Sequence, residues 1–208
     1  MYKLFFKRLI DFICSILIFI LISPIFIIAI LVLSIYYRGN PFFTQNRPGL
    51  NGKIFRLLKF KSMVNKYDAD GELLPDADRI TSAGKFIRKT SIDEIPQLLN
   101  VLIGDMSFIG PRPLLENYLY YYTEREHTRH HVRPGISGLA QVSGRNNIEL
   151  PQRLELDVQY VETLSFINDC KIALKTIHNV VSGKDITVVT SLKTLKDYRN
   201  KNPHYIPS

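Results

Sequence analysis

One uncharged, apolar run limits what this chain of 208 residues can fold into. From Phe12 to Tyr37 the sequence contains no Asp, Glu, Lys or Arg. The run is longer than the roughly 20 residues that an α-helix needs to cross the hydrocarbon of a bilayer. It is apolar on all sides, unlike the amphipathic helix of a soluble domain, and its length without a small-residue cleavage site excludes a secretory signal peptide. The run therefore predicts a membrane anchor.

Ser23 and Pro24 lie in the middle of this run. Proline removes one helical hydrogen bond and bends or breaks the helix, and the Ser23 hydroxyl can satisfy a backbone group that it frees, as hydrocarbon demands. The residues on both sides of the run are basic, and basic flanks stay in the cytoplasm. The sequence thus favours a re-entrant helix–break–helix that enters and leaves by the same face, while a full span stays open.

The rest of the chain predicts an α+β fold that is mostly helical. Turn residues and then the stretch "KIFRLLKF" within 38–63 indicate a short β-hairpin. Amphipathic, interfacial helices are expected at 82–90, 93–104, 114–132, 150–165 and 167–183. We expect an anchor at 1–37, a cytoplasmic domain at 38–185 and a basic tail at 186–208 near the lipid headgroups.

The net charge of +8 leaves three kinds of partner: nucleic acid, an anionic membrane surface or a phosphorylated substrate. Nucleic acid is disfavoured because no recognised binding motif occurs and because the apolar run argues against it. Two distant cysteines give neither a disulfide framework nor a metal site. The cluster of His127, His130 and His131 is interpreted as a polar helix face.

The stretch "TSIDEIPQ" at 90–97 places Asp93 and Glu94 side by side. The structural interpretation is a helix start, either as a capping box between Ser91 and Glu94 or with Asp93 as the N-cap and Pro96 in the first turn. The functional interpretation is that a carboxylate at a helix N-terminus is stabilised as the anion. Such a carboxylate can serve as a nucleophile or as a metal ligand.

Several cations accompany the acid pair. In "GPRP", Pro111 and Pro113 restrict the backbone around Arg112, whose guanidinium suits bidentate binding of phosphate. Alone, the motif is equally a rigid connector with a solvated arginine. Further cations are Lys59, Arg88, Arg133 and Arg145. With the acid pair and the anchor, they predict a membrane-held site for a phosphorylated substrate, with a divalent ion as a candidate cofactor.

Longer blocks make a resemblance specific. "LLKFKSM", "DADRITSAGKFIRKTSIDEIPQLLNVLIGDMSFIGPRP", "VRPGISGLAQVSGR" and "ELDVQYVETLSFINDCKIALKTI" resemble the ordered blocks of the bacterial sugar transferases, the monotopic phosphoglycosyl transferases. The resemblance runs from the apolar run to about Gly183, and the short chain is similar to the small, catalytic-core members. One departure is the lack of tryptophan, which members often carry near "IELPQRLELD".

The resemblance implies transfer of a phospho-sugar from a UDP-sugar to undecaprenyl phosphate, with release of UMP, through a covalent aspartyl intermediate in a ping-pong route. It implies that Asp93 is the nucleophile and a ligand of Mg²⁺, and that Glu94 handles the proton of the acceptor. Ser23 and Pro24 match the re-entrant break. The implied substrate-binding residues are Lys59, Arg88, Pro111, Arg112, Pro113, Arg145 and Asp157.

The resemblance also implies a monotopic protein at the cytoplasmic face of the bacterial inner membrane. The reaction would be the first membrane step of glycoconjugate assembly, with UDP-N,N'-diacetylbacillosamine as the donor for an N-linked glycan and other enzymes of the glycan pathway as partners. Two alternatives stay open. One is a membrane-anchored, lipid-binding scaffold without catalysis, and the other is a transferase that uses direct attack and forms no adduct.

Overall fold

The computed structural model describes residues 1–144 and 148–182. The predicted basic tail and Arg145 therefore lie outside the described residues. A turn of π-helix at Tyr2–Phe6 precedes the first α-helix. The elements then follow in the order α1 (Lys7–Tyr36), β1 (Phe42–Pro48), β2 (Ile54–Phe60), α2 (Asp76–Arg79), α3 (Ser82–Lys89), α4 (Gln97–Ile103), β3 (Ser107–Ile109), α5 (Glu124–His127), β4 (Gly135–Ser137), α6 (Leu139–Ser143), α7 (Leu150–Glu162) and α8 (Phe166–Val181).

Helix α1 carries the apolar run and continues through Pro24. By length and composition it is long and apolar enough to cross a membrane. Pro24 has no N–H for the carbonyl of Ile20, and the Ser23 hydroxyl donates to that same oxygen at 2.8 Å. The expected break is therefore not an interruption of the helix, because the serine supplies the missing donor. The re-entrant path stays a prediction.

The two ends of α1 bury side chains against the rest of the protein, and its middle buries none fully. Near the start Lys7, Asp11 and Ser15 are buried, and towards the end Phe26 and Leu33 are buried. No side chain between Ser15 and Phe26 is buried. The later part contacts the β-hairpin, where the Phe26 ring lies 5.5 Å from that of Phe60. Both ends of the apolar helix are thus attached to one domain.

A buried cluster of polar side chains fixes the start of the chain. Asp169 of α8 accepts hydrogen bonds from Lys7 Nζ at 2.6 Å, from the Tyr2 hydroxyl at 2.6 Å and from the Tyr160 hydroxyl at 2.7 Å. Asp11 accepts from the backbone N–H of Phe108 at 3.1 Å. Because a buried carboxylate is costly without partners, these bonds hold α1, α7 and α8 in one arrangement.

The predicted β-hairpin is confirmed: β1 and β2 pair antiparallel, with Phe42 opposite Phe60. Asn100 of α4 attaches to the free edge of β2, since its Oδ1 accepts from the N–H of Leu58 at 3.0 Å and its Nδ2 donates to the carbonyl of Arg56 at 2.9 Å. These two bonds set the position of Lys59, the next residue of β2, relative to the N-terminal end of α4. Gly104 ends α4 in the left-handed region, as predicted.

A two-stranded parallel sheet of β3 and β4 was not expected from the sequence. The strands approach so closely that a Cβ on Gly110 would lie 2.4 Å from the carbonyl oxygen of Arg133, so only glycine fits there. The chain leaves β3 through Gly110 directly into the segment Pro111–Pro113. The small sheet therefore serves as the base of that segment.

The helix predicted at 114–132 is wrong. Short 3₁₀ segments, Glu116–Tyr121 and Thr128–His131, flank the single turn of α5. The chain is extended at Tyr122, which lets this ring and that of Tyr118 bury against Leu154 of α7. His130 is also buried, so the polar-face interpretation fails for it, and burial lowers its pKa to about 3. The expected helices at 82–90, 150–165 and 167–183 are confirmed as α3, α7 and α8, within a few residues at each end.

Candidate functional site

The acid pair lies in a 3₁₀ turn, Ile92–Glu94, immediately before α4. Both capping interpretations are wrong. Ser91 adopts a left-handed conformation with φ of 57° and makes no side-chain cap, and Pro96 stands at the N-cap of α4. The physical reason is that the Glu94 carboxylate, which a capping box would turn to the backbone, is held by two cations instead.

Glu94 is shared between Lys59 and Arg112. Its Oε1 lies 2.9 Å from Lys59 Nζ and 2.7 Å from Arg112 Nη2. Burial by itself would favour the neutral acid, but the charges of Arg112 and Lys59 outweigh it and hold the pKa of Glu94 well below its usual range. Glu94 is therefore an ionised carboxylate at neutral pH.

Asp93 has a different environment although it is the next residue. It is 8% exposed, and its Oδ2 lies 4.0 Å from Lys59 Nζ. Across the described residues no hydrogen bond to its carboxylate is seen. Burial raises the pKa of Asp93 to about 6, and Glu94 adds to the rise while Lys59, Arg88 and Arg112 oppose it. The carboxylate is mostly ionised at pH 7 and keeps oxygen lone pairs that no donor occupies, which a nucleophile requires.

Arg88 reaches this site from the last turn of α3. A Cβ on Gly84 would lie 1.8 Å from the carbonyl oxygen of Ser62, so the glycine lets α3 lie directly on the chain that follows β2. Arg88 Nε then donates to the Ser62 hydroxyl at 2.9 Å. Within residues 1–144 and 148–182 Arg88 makes no ion pair, so its charge is available to a bound anion.

The segment Pro111–Pro113 is held by its three carbonyl groups. The carbonyl of Pro111 accepts from the N–H of Gly135 at 2.9 Å, that of Arg112 accepts from Arg129 Nη2 at 2.6 Å, and that of Pro113 accepts from Arg47 Nη1 at 3.3 Å. The Arg112 side chain points to Glu94 and is 46% exposed. A rigid backbone thus presents a partly exposed guanidinium.

Asp157 lies behind this segment, at 3% exposure. Its Oδ2 accepts from Arg129 at 2.6 Å (Nη2) and 3.1 Å (Nε), and Arg129 also donates to the Tyr122 hydroxyl at 3.2 Å. In this arrangement Asp157 supports Arg112 through Arg129. Sequence reasoning missed Arg129, and the available signal was Asp157 itself, an acid among the apolar positions of α7 that needs a buried cation.

The structure brings together five of the predicted site residues: Lys59, Arg88, Asp93, Glu94 and Arg112. It contains no group of three His, Cys, Asp or Glu side chains that could hold a metal ion, as far as the described residues go. The carboxylates at the site are therefore Asp93, which has no hydrogen-bonded partner among the described residues, and Glu94, which Lys59 and Arg112 hold. That donor set fits Mg²⁺, which is often bound through one or two carboxylates, with substrate phosphates and water completing its shell.

The fold and the site define a membrane-anchored domain that gathers cations around a carboxylate pair. A profile described as "Bacterial sugar transferase" matches residues 2–183, and the chain belongs to this family.

Three relatives are similar to this protein over most of the chain. An "Uncharacterized sugar transferase EpsL" of Bacillus subtilis is 48% identical over 180 residues, which are 86% of this chain and 89% of that protein. An "Undecaprenyl-phosphate galactose phosphotransferase" of Salmonella typhimurium is 40% identical over 83% of this chain and 40% of its own length. A "UDP-glucose:undecaprenyl-phosphate glucose-1-phosphate transferase" of Caulobacter vibrioides is 38% identical over 85% and 70%. The chain thus spans nearly all of the first relative and less than half of the second.

Proposed function

We propose that this protein transfers a sugar phosphate from a UDP-sugar to undecaprenyl phosphate and releases UMP. The observation that carries the proposal is the Asp93 carboxylate, which is buried, mostly ionised at neutral pH, and 4.0 Å from a lysine whose other carboxylate partner is Glu94. The name of the Caulobacter relative contains both substrates, and that of the Salmonella relative contains undecaprenyl phosphate and galactose.

In the proposed first step an oxygen of Asp93 attacks the β-phosphorus of the UDP-sugar. The bond from that phosphorus to the oxygen bridging to the α-phosphate breaks, and UMP leaves with the electron pair. An aspartyl-phosphosugar remains. Lys59, Arg88 and Arg112 offset charge on the phosphates, which is the main contribution a protein makes to phosphoryl transfer.

In the second step a phosphate oxygen of undecaprenyl phosphate attacks the same phosphorus. The bond between Asp93 and phosphorus breaks, which restores the carboxylate and yields the sugar linked to undecaprenyl diphosphate. Lys59 and Arg112 hold Glu94 ionised in the free protein. When they turn to bound phosphate, the pKa of Glu94 rises, so that Glu94 can accept the proton of the acceptor phosphate.

Mg²⁺ would be held by Asp93 together with substrate phosphates, because the described residues offer no group of three ligands and Glu94 is engaged by Lys59 and Arg112. When bound, the ion would neutralise phosphate charge. The protein's own residues supply the other roles: Asp93 the attacking oxygen, and the rigid segment 111–113 the position of Arg112.

We further propose a monotopic placement on the cytoplasmic face of the inner membrane, with α1 as a re-entrant anchor. Two observations support it. The helix packs on the domain near both ends, and its middle exposes Leu17, Ile20 and Leu21 at 62%, 65% and 79%. Both flanks of the run are basic. This placement puts the acid pair near the headgroups, where the phosphate of the acceptor lies.

The test is UMP release by the purified protein in detergent with Mg²⁺, undecaprenyl phosphate and a panel of donors. UDP-glucose, UDP-galactose and UDP-N,N'-diacetylbacillosamine belong in the panel, because the relatives' names point to hexoses and the sequence expectation was bacillosamine. Asp93→Asn should release no UMP. The control Asp78→Asn, an equal change at an exposed position of α2, should match the wild type.

Intact mass separates the alternatives. With the right donor and no acceptor, the wild type should gain the mass of one phosphosugar and Asp93→Asn should gain none. Full turnover without an adduct would favour direct attack. Absence of turnover with every donor, together with binding of undecaprenyl phosphate, would favour a lipid-binding scaffold. Full activity of Asp93→Asn would exclude Asp93 as the nucleophile.

A further inference from the structure

A second concave site lies at the start of α1. Its cavity of about 230 Å³ is lined by the basic side chains Lys3, Lys7, Arg8 and Arg133, and also by His131 and Asp11. None of these residues belongs to the acid-pair site. The proposed transferase reaction leaves this cavity without a role.

Most of the positive charge in the cavity has no carboxylate partner. Arg8 donates to the carbonyls of Val101 and Leu102, and Arg133 Nε donates to the carbonyl of Gly104 at 2.7 Å. These bonds fix both guanidinium groups at the C-terminal end of α4 without neutralising them. Of the four cations, only Lys7 forms an ion pair within the part of the chain that the structure describes. The cavity therefore carries positive charge on fixed side chains, which is what an anion requires of a binding site.

The cavity adjoins the apolar surface of the first turns. Phe5, Phe6 and Leu9 are 61%, 41% and 41% exposed, and they flank Lys7 and Arg8, which line the cavity. Basic side chains next to exposed apolar rings are the arrangement found at the level of lipid headgroups, where charges reach the phosphates and apolar groups reach the acyl chains.

The size of the cavity limits the ligand further. It is smaller than the roughly 300–1,000 Å³ clefts that enclose whole small molecules, so a headgroup fits it better than a nucleotide sugar. We propose that the cavity binds the phosphate of an anionic phospholipid through Lys3, Arg8 and Arg133, with the acyl chains lying along the exposed face of α1. This lipid site is separate from the transferase site and does not depend on catalysis.

The test is native mass spectrometry of the full chain in mixed micelles that contain equal amounts of phosphatidylglycerol and phosphatidylcholine. The wild type should retain one phosphatidylglycerol and no phosphatidylcholine. Removal of two cations in Lys3→Gln/Arg133→Gln should weaken retention about tenfold or more, since each basic residue near anionic lipid contributes a several-fold effect. The control Lys66→Gln/Lys85→Gln removes two exposed charges elsewhere and should stay within about twofold of the wild type.

Four results would overturn the proposal. Unchanged retention in Lys3→Gln/Arg133→Gln or equal retention of phosphatidylcholine would exclude a charge-selective site. Displacement of phosphatidylglycerol by millimolar inorganic phosphate would assign the cavity to a free anion. A rise in KM for undecaprenyl phosphate that parallels the loss of phosphatidylglycerol would assign it to the acceptor.

A folding defect is distinguished by Lys3→Gln alone. Lys3 is exposed and makes no hydrogen bond or ion pair within the described residues. This variant should therefore unfold like the wild type but bind phosphatidylglycerol several-fold more weakly. Retention equal to the wild type in this variant would remove Lys3 from the site. Failure of the transferase proposal would show instead in the Asp93→Asn assay, which leaves phosphatidylglycerol binding unchanged.

Discussion

Two pairs of a guanidinium and a carboxylate meet at the segment Pro111–Pro113, and they differ in what they leave unpaired. The inner pair, Arg129 with Asp157, is 1% and 4% exposed at its side chains. Arg129 donates to Asp157, to Tyr122 and to the carbonyl of Arg112, so its donors are used within the protein. The outer pair, Arg112 with Glu94, is 46% and 20% exposed.

The outer pair stands beside Asp93, whose carboxylate has only a distant lysine, 4.0 Å away, among the described groups. A buried, well-bonded ion pair orders its surroundings, and breaking it is costly. A partly exposed pair beside an unbonded carboxylate can exchange partners when phosphate binds. One charge pair thus serves structure and the other stays available for chemistry. The same substitution in each region should therefore have different effects.

The largest difference is expected for Asp93→Asn. Activity should fall by at least ~10³-fold, as for removal of a nucleophile, while the fold at pH 7.5 should be as stable as the wild type or more so. Because burial raises the pKa of Asp93 from 3.8 to about 6, this group stabilises the fold below pH 4 and that contribution is lost as the pH rises through 6. Thermal unfolding of the wild type and Asp93→Asn in detergent at pH 5 and 7.5 measures this contribution to stability. A lower unfolding midpoint for Asp93→Asn than for the wild type at pH 7.5 would show that Asp93 stabilises the fold, which contradicts this assignment.

Asp157→Asn should have the opposite effect. Arg129 would stay buried without a counter-charge, so the free energy of unfolding should fall by about 3–5 kcal/mol. The apolar double variant Arg129→Met/Asp157→Leu should recover much of that stability. It should not recover activity, because the carbonyl of Arg112 loses its donor. Denaturant unfolding and UMP release of both variants test this, and full activity of the double variant would show that the inner pair does not position Arg112.

A smaller effect is expected on the pH dependence. kcat/KM should fall below about pH 6 as Asp93 becomes protonated. Glu94→Gln removes a negative neighbour and frees Lys59 and Arg112 to face Asp93, so the pKa of Asp93 should fall and the acidic limb should move to lower pH in the residual activity. Glu124→Gln at an exposed position is the matched control. If the acidic limb of Glu94→Gln stays at the wild-type pH, the pKa that sets this limb does not belong to Asp93.

The smallest effect is expected at the surface. Arg125 pairs with Glu155 at 2.8 Å and with Glu162 at 2.9 Å, but all three side chains are about half exposed. Exposed pairs contribute little because water and salt screen them. Arg125→Gln should therefore leave the unfolding midpoint within measurement error, whereas Arg129→Gln should lower it clearly. A clear loss of stability in Arg125→Gln would mean that burial does not decide how much an ion pair of this protein contributes to stability.

The features that the sequence predicted well are those with a local cause. The apolar run, the hairpin between turn residues, the end of α4 at Gly104 and the grouping of Lys59, Arg88 and Arg112 with the acid pair follow from composition, from turn chemistry or from the family blocks. The acid pair, however, was expected at a cap and lies in a 3₁₀ turn, because its partners come from distant parts of the chain.

Long-range partners also explain the other differences. The parallel pairing of β3 with β4 joins segments of three residues each, too short for a periodic signal. The Tyr-rich segment departs from a helix in order to bury Tyr118 and Tyr122 against α7, a tertiary contact that local propensity does not contain. Arg129 was missed because the acid Asp157 among apolar positions indicates a buried cation but does not say which basic residue, here 28 positions away, supplies it.

The attachment of α1 near both of its ends has a consequence for the choice of membrane. A helix that spans a bilayer must match the thickness of the hydrocarbon, and mismatch costs free energy for each ångström. In the proposed placement, α1 instead returns to the domain that holds Lys7 and Leu33, so the depth of insertion is set by the protein. With that placement, activity should vary little between bilayers of short and long acyl chains, and the protein should tolerate membranes of different thickness.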